Sequence, residues 1–101
     1  MIYSNGDEYQ GKWFMDQQSG LGVMRYSNGD IYDGNWLQNK KSSLGKMTYT
    51  NLNIIYDGNW YEDYISEEGE LTIIDPFTHE ISLKTRFVNG SKIIRKVNDI
   101  E

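Results

Sequence analysis

The sequence predicts an all-β protein, an antiparallel sheet made by stacking similar β-hairpins, and three observations predict it. Aromatics make up 14% of the 101 residues, alanine is absent and there is one proline, a composition that suits strands better than helices. A motif recurs along the chain every 23 or 24 residues, the signature of a repeat architecture. Within each copy, large aromatics alternate with glycine at a period of two, which places them on one face of a strand.

The first copy reads Tyr3-Ser-Asn-Gly-Asp-Glu-Tyr9-Gln-Gly11-Lys-Trp13, and the second reads Tyr26-Ser-Asn-Gly-Asp-Ile-Tyr32-Asp-Gly34-Asn-Trp36. A third, looser copy runs Tyr49-Thr-Asn-Leu-Asn-Ile-Ile-Tyr56-Asp-Gly58-Asn-Trp60, with one extra residue between its tyrosines. Gly22, Gly45 and Gly69 follow at the same phase. Ser27-Asn28-Gly29 suits a three-residue hairpin loop closed by a left-handed glycine. That loop sets Met24 opposite Tyr32, Gly22 opposite Gly34 and Gly20 opposite Trp36, so the indole lies over a residue without a side chain. A two-residue Asn28-Gly29 turn would slip the pairing by one and put glycines and tryptophans on opposite faces. The odd loop is preferred because large then faces small. In the third copy a four-residue loop, Thr50 to Asn53, absorbs the insertion and keeps Met47 opposite Tyr56 and Gly45 opposite Gly58.

These residues resemble the MORN repeat family, whose pattern is Tyr-x-Gly-x-Trp, a short turn, Gly-x-Gly, an aromatic, then Gly-Asp. Tyr9, Gly11, Trp13, Gly20, Gly22, Tyr26, Gly29 and Asp30 match it position by position. Later copies depart from it: Ser43 and Glu67 replace the first glycine of Gly-x-Gly, Asn51-Leu52-Asn53 replaces the Asn-Gly turn, and Ile73 stands where an aromatic belongs. The resemblance implies an elongated single-layer sheet over residues 1–73, with repeats near 3–25, 26–48 and 49–73. Residues 74–101 are expected to form a C-terminal capping hairpin, since terminal units of an array depart from consensus. There Glu70 to Asp75 and Ile81 to Val88 read as strands, and Asn89-Gly90 turns into a further strand, Lys92 to Val97.

Met1 falls in the slot of Met24 and Met47, which suggests an excerpt of a longer array or protein. Trp13 would then lack its glycine partner and the first strand would be an open edge, suited to pairing with another copy.

Chemistry has little to work with. Cysteine is absent and His79 stands alone beside the Asp75-Pro76 turn. Gly20-Leu-Gly22 lacks the helix and Lys-Ser/Thr of a phosphate loop. Glu67, Glu68 and Glu70 lack calcium-loop spacing, and the pairs Asp7-Glu8 and Glu62-Asp63 read as solvated charge at strand ends. No catalytic residue, cofactor or metal is expected. The net charge is −5, with residues 1–83 carrying five Lys/Arg against thirteen Asp/Glu, which argues against a nucleic-acid partner.

The expected function is therefore a non-catalytic scaffold for a protein or peptide. The aromatic face, Tyr9, Trp13, Tyr32, Trp36, Tyr56 and Trp60, is the first candidate surface, and the outward Phe14, Leu37 and Tyr61 are the second. The resemblance implies an intracellular, cytoplasmic setting at a membrane-associated or cytoskeletal structure. Two alternatives stay open. A phospholipid or phosphoinositide could be held, weakly, by the basic strip Lys84, Arg86, Lys92, Arg95 and Lys96. The segment could also regulate a larger enzyme, such as a phosphatidylinositol phosphate kinase or a lysine methyltransferase.

Overall fold

In a computed structural model the chain is described over residues 1–87. Among these residues seven strands form one antiparallel sheet in chain order: β1 (Glu8–Phe14), β2 (Gln17–Arg25), β3 (Ile31–Leu37), β4 (Lys40–Tyr49), β5 (Ile54–Tyr61), β6 (Tyr64–Ile74) and β7 (Ile81–Phe87). Each strand pairs only with its sequence neighbours, as hairpin stacking requires, and the body measures 41 × 28 × 19 Å.

Two kinds of turn alternate. On one rim, β1–β2, β3–β4 and β5–β6 are closed by two residues that both take positive φ: Met15 and Asp16, Gln38 and Asn39, Glu62 and Asp63. This is the mirror-image turn whose twist matches that of the strands it joins. On the other rim the loops are longer. Tyr26 N–H bonds Asp30 O at 2.9 Å and Gly29, at φ 98°, closes the loop. Thr50–Leu52 forms a short 3-10 turn that Asn53 ends in the left-handed region.

The expected register holds throughout. Gly20 pairs with Trp36, Gly22 with Gly34 and Met24 with Tyr32, while Gly45 pairs with Gly58 and Met47 with Tyr56. Met1 fills the methionine slot of the first copy, giving its carbonyl to Tyr9 N–H at 2.8 Å and its ammonium to Tyr9 O at 3.0 Å. Across the tight turns the register shifts at the same place each time. Three residues of β2, Ser19 to Leu21, lie opposite Lys12 alone, and Ser42 to Leu44 lie opposite Asn35 alone. Two extra residues preserve the alternation of faces, so the bulge bends the strand without turning the aromatics outward. Gly20 and Ser43 take positive φ inside these bulges.

At the C-terminal end the expected strand from Glu70 is the second half of a longer strand, β6, which belongs to the third hairpin. Asp75 Oδ1 accepts the N–H groups of Phe77 and Thr78 and so closes the turn into β7, which continues the same sheet. The expected Asn89-Gly90 hairpin, the strand Lys92 to Val97, and with them Lys92, Arg95 and Lys96, lie outside the described residues.

Candidate interaction surfaces

The six repeat aromatics form one continuous row across the sheet. Trp13, Tyr9, Trp36, Tyr32, Trp60 and Tyr56 meet edge to face in that order, with centroids 5.0 to 5.5 Å apart and ring planes at 82° to 88°. Every junction is the arrangement that the ring quadrupoles favour. Tyrosine, not tryptophan, is the ring that needs the paired glycines. A Cβ on Gly22, Gly45 or Gly69 would fall inside the ring of Tyr9, Tyr32 or Tyr56 respectively. The indole opposite Gly20 instead reaches back to the preceding hairpin: Trp36 Nε1–H donates to Gly22 O, and Trp60 Nε1–H to Gly45 O, both at 3.1 Å. The phenol groups of Tyr9 and Tyr32 donate to the carbonyls of Lys12 and Asn35 at 2.9 Å, so the polar ends of these rings are satisfied.

This row is the core. Tyr9, Tyr32, Trp36, Tyr56 and Trp60 are buried together with Met24, Met47, Ile54 and Leu71. The row is open only at Trp13, which is 42% exposed against 4% for Trp36 and 5% for Trp60. Cover comes from the hairpins themselves, since Tyr3, Tyr26, Tyr49 and Ile65 pack against the row. Burial raises the pKa of the Tyr26 and Tyr32 phenols and pushes Tyr49 up to about 12, with Asp63 adding to the first two and Asp30 to the third.

One position per hairpin was not singled out in the sequence: Gln18, Lys41 and Ile65, the first inward residue after each tight turn. Lys41 Nζ lies over the rings of Tyr26, Tyr32 and Trp60, at 5.5, 5.7 and 5.4 Å from their centroids, and 3.6 Å from Asp63 Oδ1. Burial lowers its pKa, and Asp63 works against that shift. The backbones are clamped as well: Lys41 N–H donates to Asp63 Oδ1 at 2.7 Å, and Asp63 N–H to Lys41 O at 3.1 Å. One hairpin earlier, Gln18 N–H donates to Asn39 Oδ1 at 2.8 Å and Asn39 N–H to Gln18 O at 3.1 Å, while the Gln18 carboxamide bonds the Tyr3 hydroxyl. Asp63 is therefore a clamp between hairpins rather than the solvated strand-end charge expected. Its common spacing with Asn39 was the available signal. On the long-loop rim Asp7 and Asp30 do similar work, accepting the N–H groups of Ser27 and Thr50.

The opposite face is open. Phe14, Leu37 and Tyr61, each next to its tryptophan, point outward and are exposed, and so are Leu21 and Leu44 at matched positions in β2 and β4. Of the basic strip, Lys84 and Arg86 are described. Arg86 pairs across the ladder with Glu70, and Lys84 Nζ lies 3.4 Å from the same carboxylate.

The family model for the MORN repeat matches residues 9–31 and 32–54. No curated protein matches the chain. Each matched stretch spans one hairpin and the loop that follows it, and the third copy repeats their register at Tyr56, Gly58, Trp60 and Gly69. Residues 9–54 are two tandem MORN repeats.

Proposed function

We propose that this chain is a non-catalytic protein-interaction scaffold, set at a membrane-associated or cytoskeletal structure, that meets its partner with its outward face. The observation that carries the reading is the recurrence of Phe14, Leu37 and Tyr61, exposed at the same place in successive hairpins, with Leu21 and Leu44 beside them. Ordered exposed apolar surface of this kind marks a contact site more often than chance. With five of six aromatics serving as core, the first-choice surface gives way to the second. Tyr32→Ala with Trp36→Ala would remove the core, so loss of binding there would not discriminate.

The test is affinity capture by the chain and by a Phe14→Ser, Leu37→Ser, Tyr61→Ser variant whose melting temperature is unchanged. Loss of the captured partners in the variant is the expected result. Undiminished capture would count against the outward face.

A further inference from the structure

The outward face has a period of its own. Phe14, Leu37 and Tyr61 are the last residues of β1, β3 and β5, and they are 66%, 56% and 65% exposed. Each pairs across its tight turn, with Gln17, Lys40 and Tyr64 respectively. Successive members stand two strands apart, about 9.6 Å at the ordinary strand spacing. Three apolar side chains therefore form a line along one rim, perpendicular to the strands.

A guest lying along that line must offer a contact at the same interval. One turn of a polyproline II helix is three residues and about 9.3 Å. The matching step in an α-helix is seven residues, about 10.5 Å. From Phe14 to Tyr61 the polyproline helix falls short by about 0.6 Å and the α-helix overruns by about 1.8 Å. Residues on one face of an extended strand recur at about 6.8 Å, so none comes within about 2.8 Å of the Leu37 position. The space between the side chains favours the same guest. Leu37 and Tyr61 wall a cleft of about 160 Å³ whose lining includes Gln38, Lys40 and Ser42. These three side chains carry hydrogen-bond donors. A polyproline helix makes no internal hydrogen bonds, so its carbonyls are free to accept, whereas those of an α-helix are already paired.

Charge sets the direction of the guest. At matched positions along the rim Lys12 gives way to Asn35 and Asn59, Leu21 and Leu44 to Glu68, and Gln38 to Glu62. Lys12, Lys40, Glu62 and Glu68 are all exposed. The line begins beside two lysines and ends beside two carboxylates.

We propose that this rim is a recognition site for a proline-rich segment of a partner protein in the polyproline II conformation. Its apolar residues recur at every third position and seat against Phe14, Leu37 and Tyr61, and a basic residue marks the end over the third hairpin. Proline suits the site because it holds the required φ before binding, and its ring packs on an aromatic wall such as Tyr61. The ion pair at the acidic end fixes the register. The proposal rests on the outward face being the contact surface and adds the conformation of what binds there.

The probe is an end-capped undecapeptide of three Pro-Pro-Ser units followed by two arginines. It is titrated into the isotope-labelled full chain while the backbone amides of Leu37 and Tyr61 are followed. Saturable shifts at both are expected, and alanine in place of every peptide proline is expected to abolish them. Changing the two arginines to glutamates is expected to weaken binding about fivefold, the upper worth of an exposed ion pair. Glu62→Lys together with Glu68→Lys is expected to reverse that preference. No saturable shift, equal binding of the alanine peptide, or an unchanged arginine preference in the double variant overturns the proposal. Loss of captured partners in the triple-serine variant without any peptide binding removes the proline-rich guest and leaves the outward face standing. Undiminished capture would count against that face itself.

Discussion

Gly45 and Ser43 sit two residues apart on one strand and ask opposite things of their side chains. Gly45 has no room for one: a Cβ there lands within the Tyr32 ring, which is itself buried. Gly45→Ala is expected to cost about 2–3 kcal/mol, the range of overpacking a filled core, read as a fall in the denaturation midpoint. Ser43 is exposed and has room, but it holds φ 60° where the first hairpin has Gly20 at 89°. A left-handed non-glycine residue costs about 1–2 kcal/mol. Part of the relief is returned through the freer unfolded chain. Ser43→Gly is expected to stabilise by about 0.5–1 kcal/mol in the same denaturation experiment, and a loss of stability would show that the bulge is unstrained. Both residues were visible in the sequence as a family position kept and a family position changed. What stayed hidden was which ring each glycine serves: pairing places Trp36 opposite Gly20, but only the side-chain directions show Tyr32 crossing Gly45.

Hairpins are the units of this fold, and clamps join them. Backbone ladders pair the strands at each junction, yet the choice of Lys41 with Asp63, or Gln18 with Asn39, distinguishes one junction from the next. Asp63→Asn is expected to destabilise by about 0.5–1 kcal/mol, as the lysine keeps its rings and loses its counter-ion. Adding Lys41→Gln copies the first junction and is expected to recover at least half of that loss, a coupling that a double-mutant cycle measures. Additive losses would show that the two positions act separately. Hairpin boundaries, register and the absorbed insertion were legible because period-two alternation admits few pairings. The clamps were not, since an acidic residue in a turn looks the same in sequence whether it meets water or a neighbouring backbone.

Across the whole molecule the aromatic row replaces the second layer that a sheet usually needs. The sequence made the row legible but not its burial, which depends on Tyr3, Tyr26, Tyr49, Lys41 and Ile65 closing over it. That burial carries a pH dependence. Tyr9, Tyr26, Tyr32, Tyr49 and Tyr56 all have phenol pKa values raised by burial, Tyr49 to about 12 from an ordinary 10.0. Above pH 10 the unfolded chain releases these protons while the folded chain keeps them. Stability is therefore full below pH 10 and falls as pH rises from there. The lowered Lys41 pKa acts in the opposite sense, but it is one group against five. Tyrosinate absorbance and loss of the sheet circular dichroism signal are expected to rise together as one alkaline transition; buried tyrosines ionising near pH 10 in an intact sheet would contradict it. The alternation of tight and long turns has a further consequence for how such a chain can be altered. Length can change only on one rim. An added residue between Asn51 and Leu52 lies where the fold has already taken up an insertion, so tags or epitopes belong there. The same addition between Gln38 and Asn39 would uncouple both a mirror-image turn and the clamp on the hairpin before it.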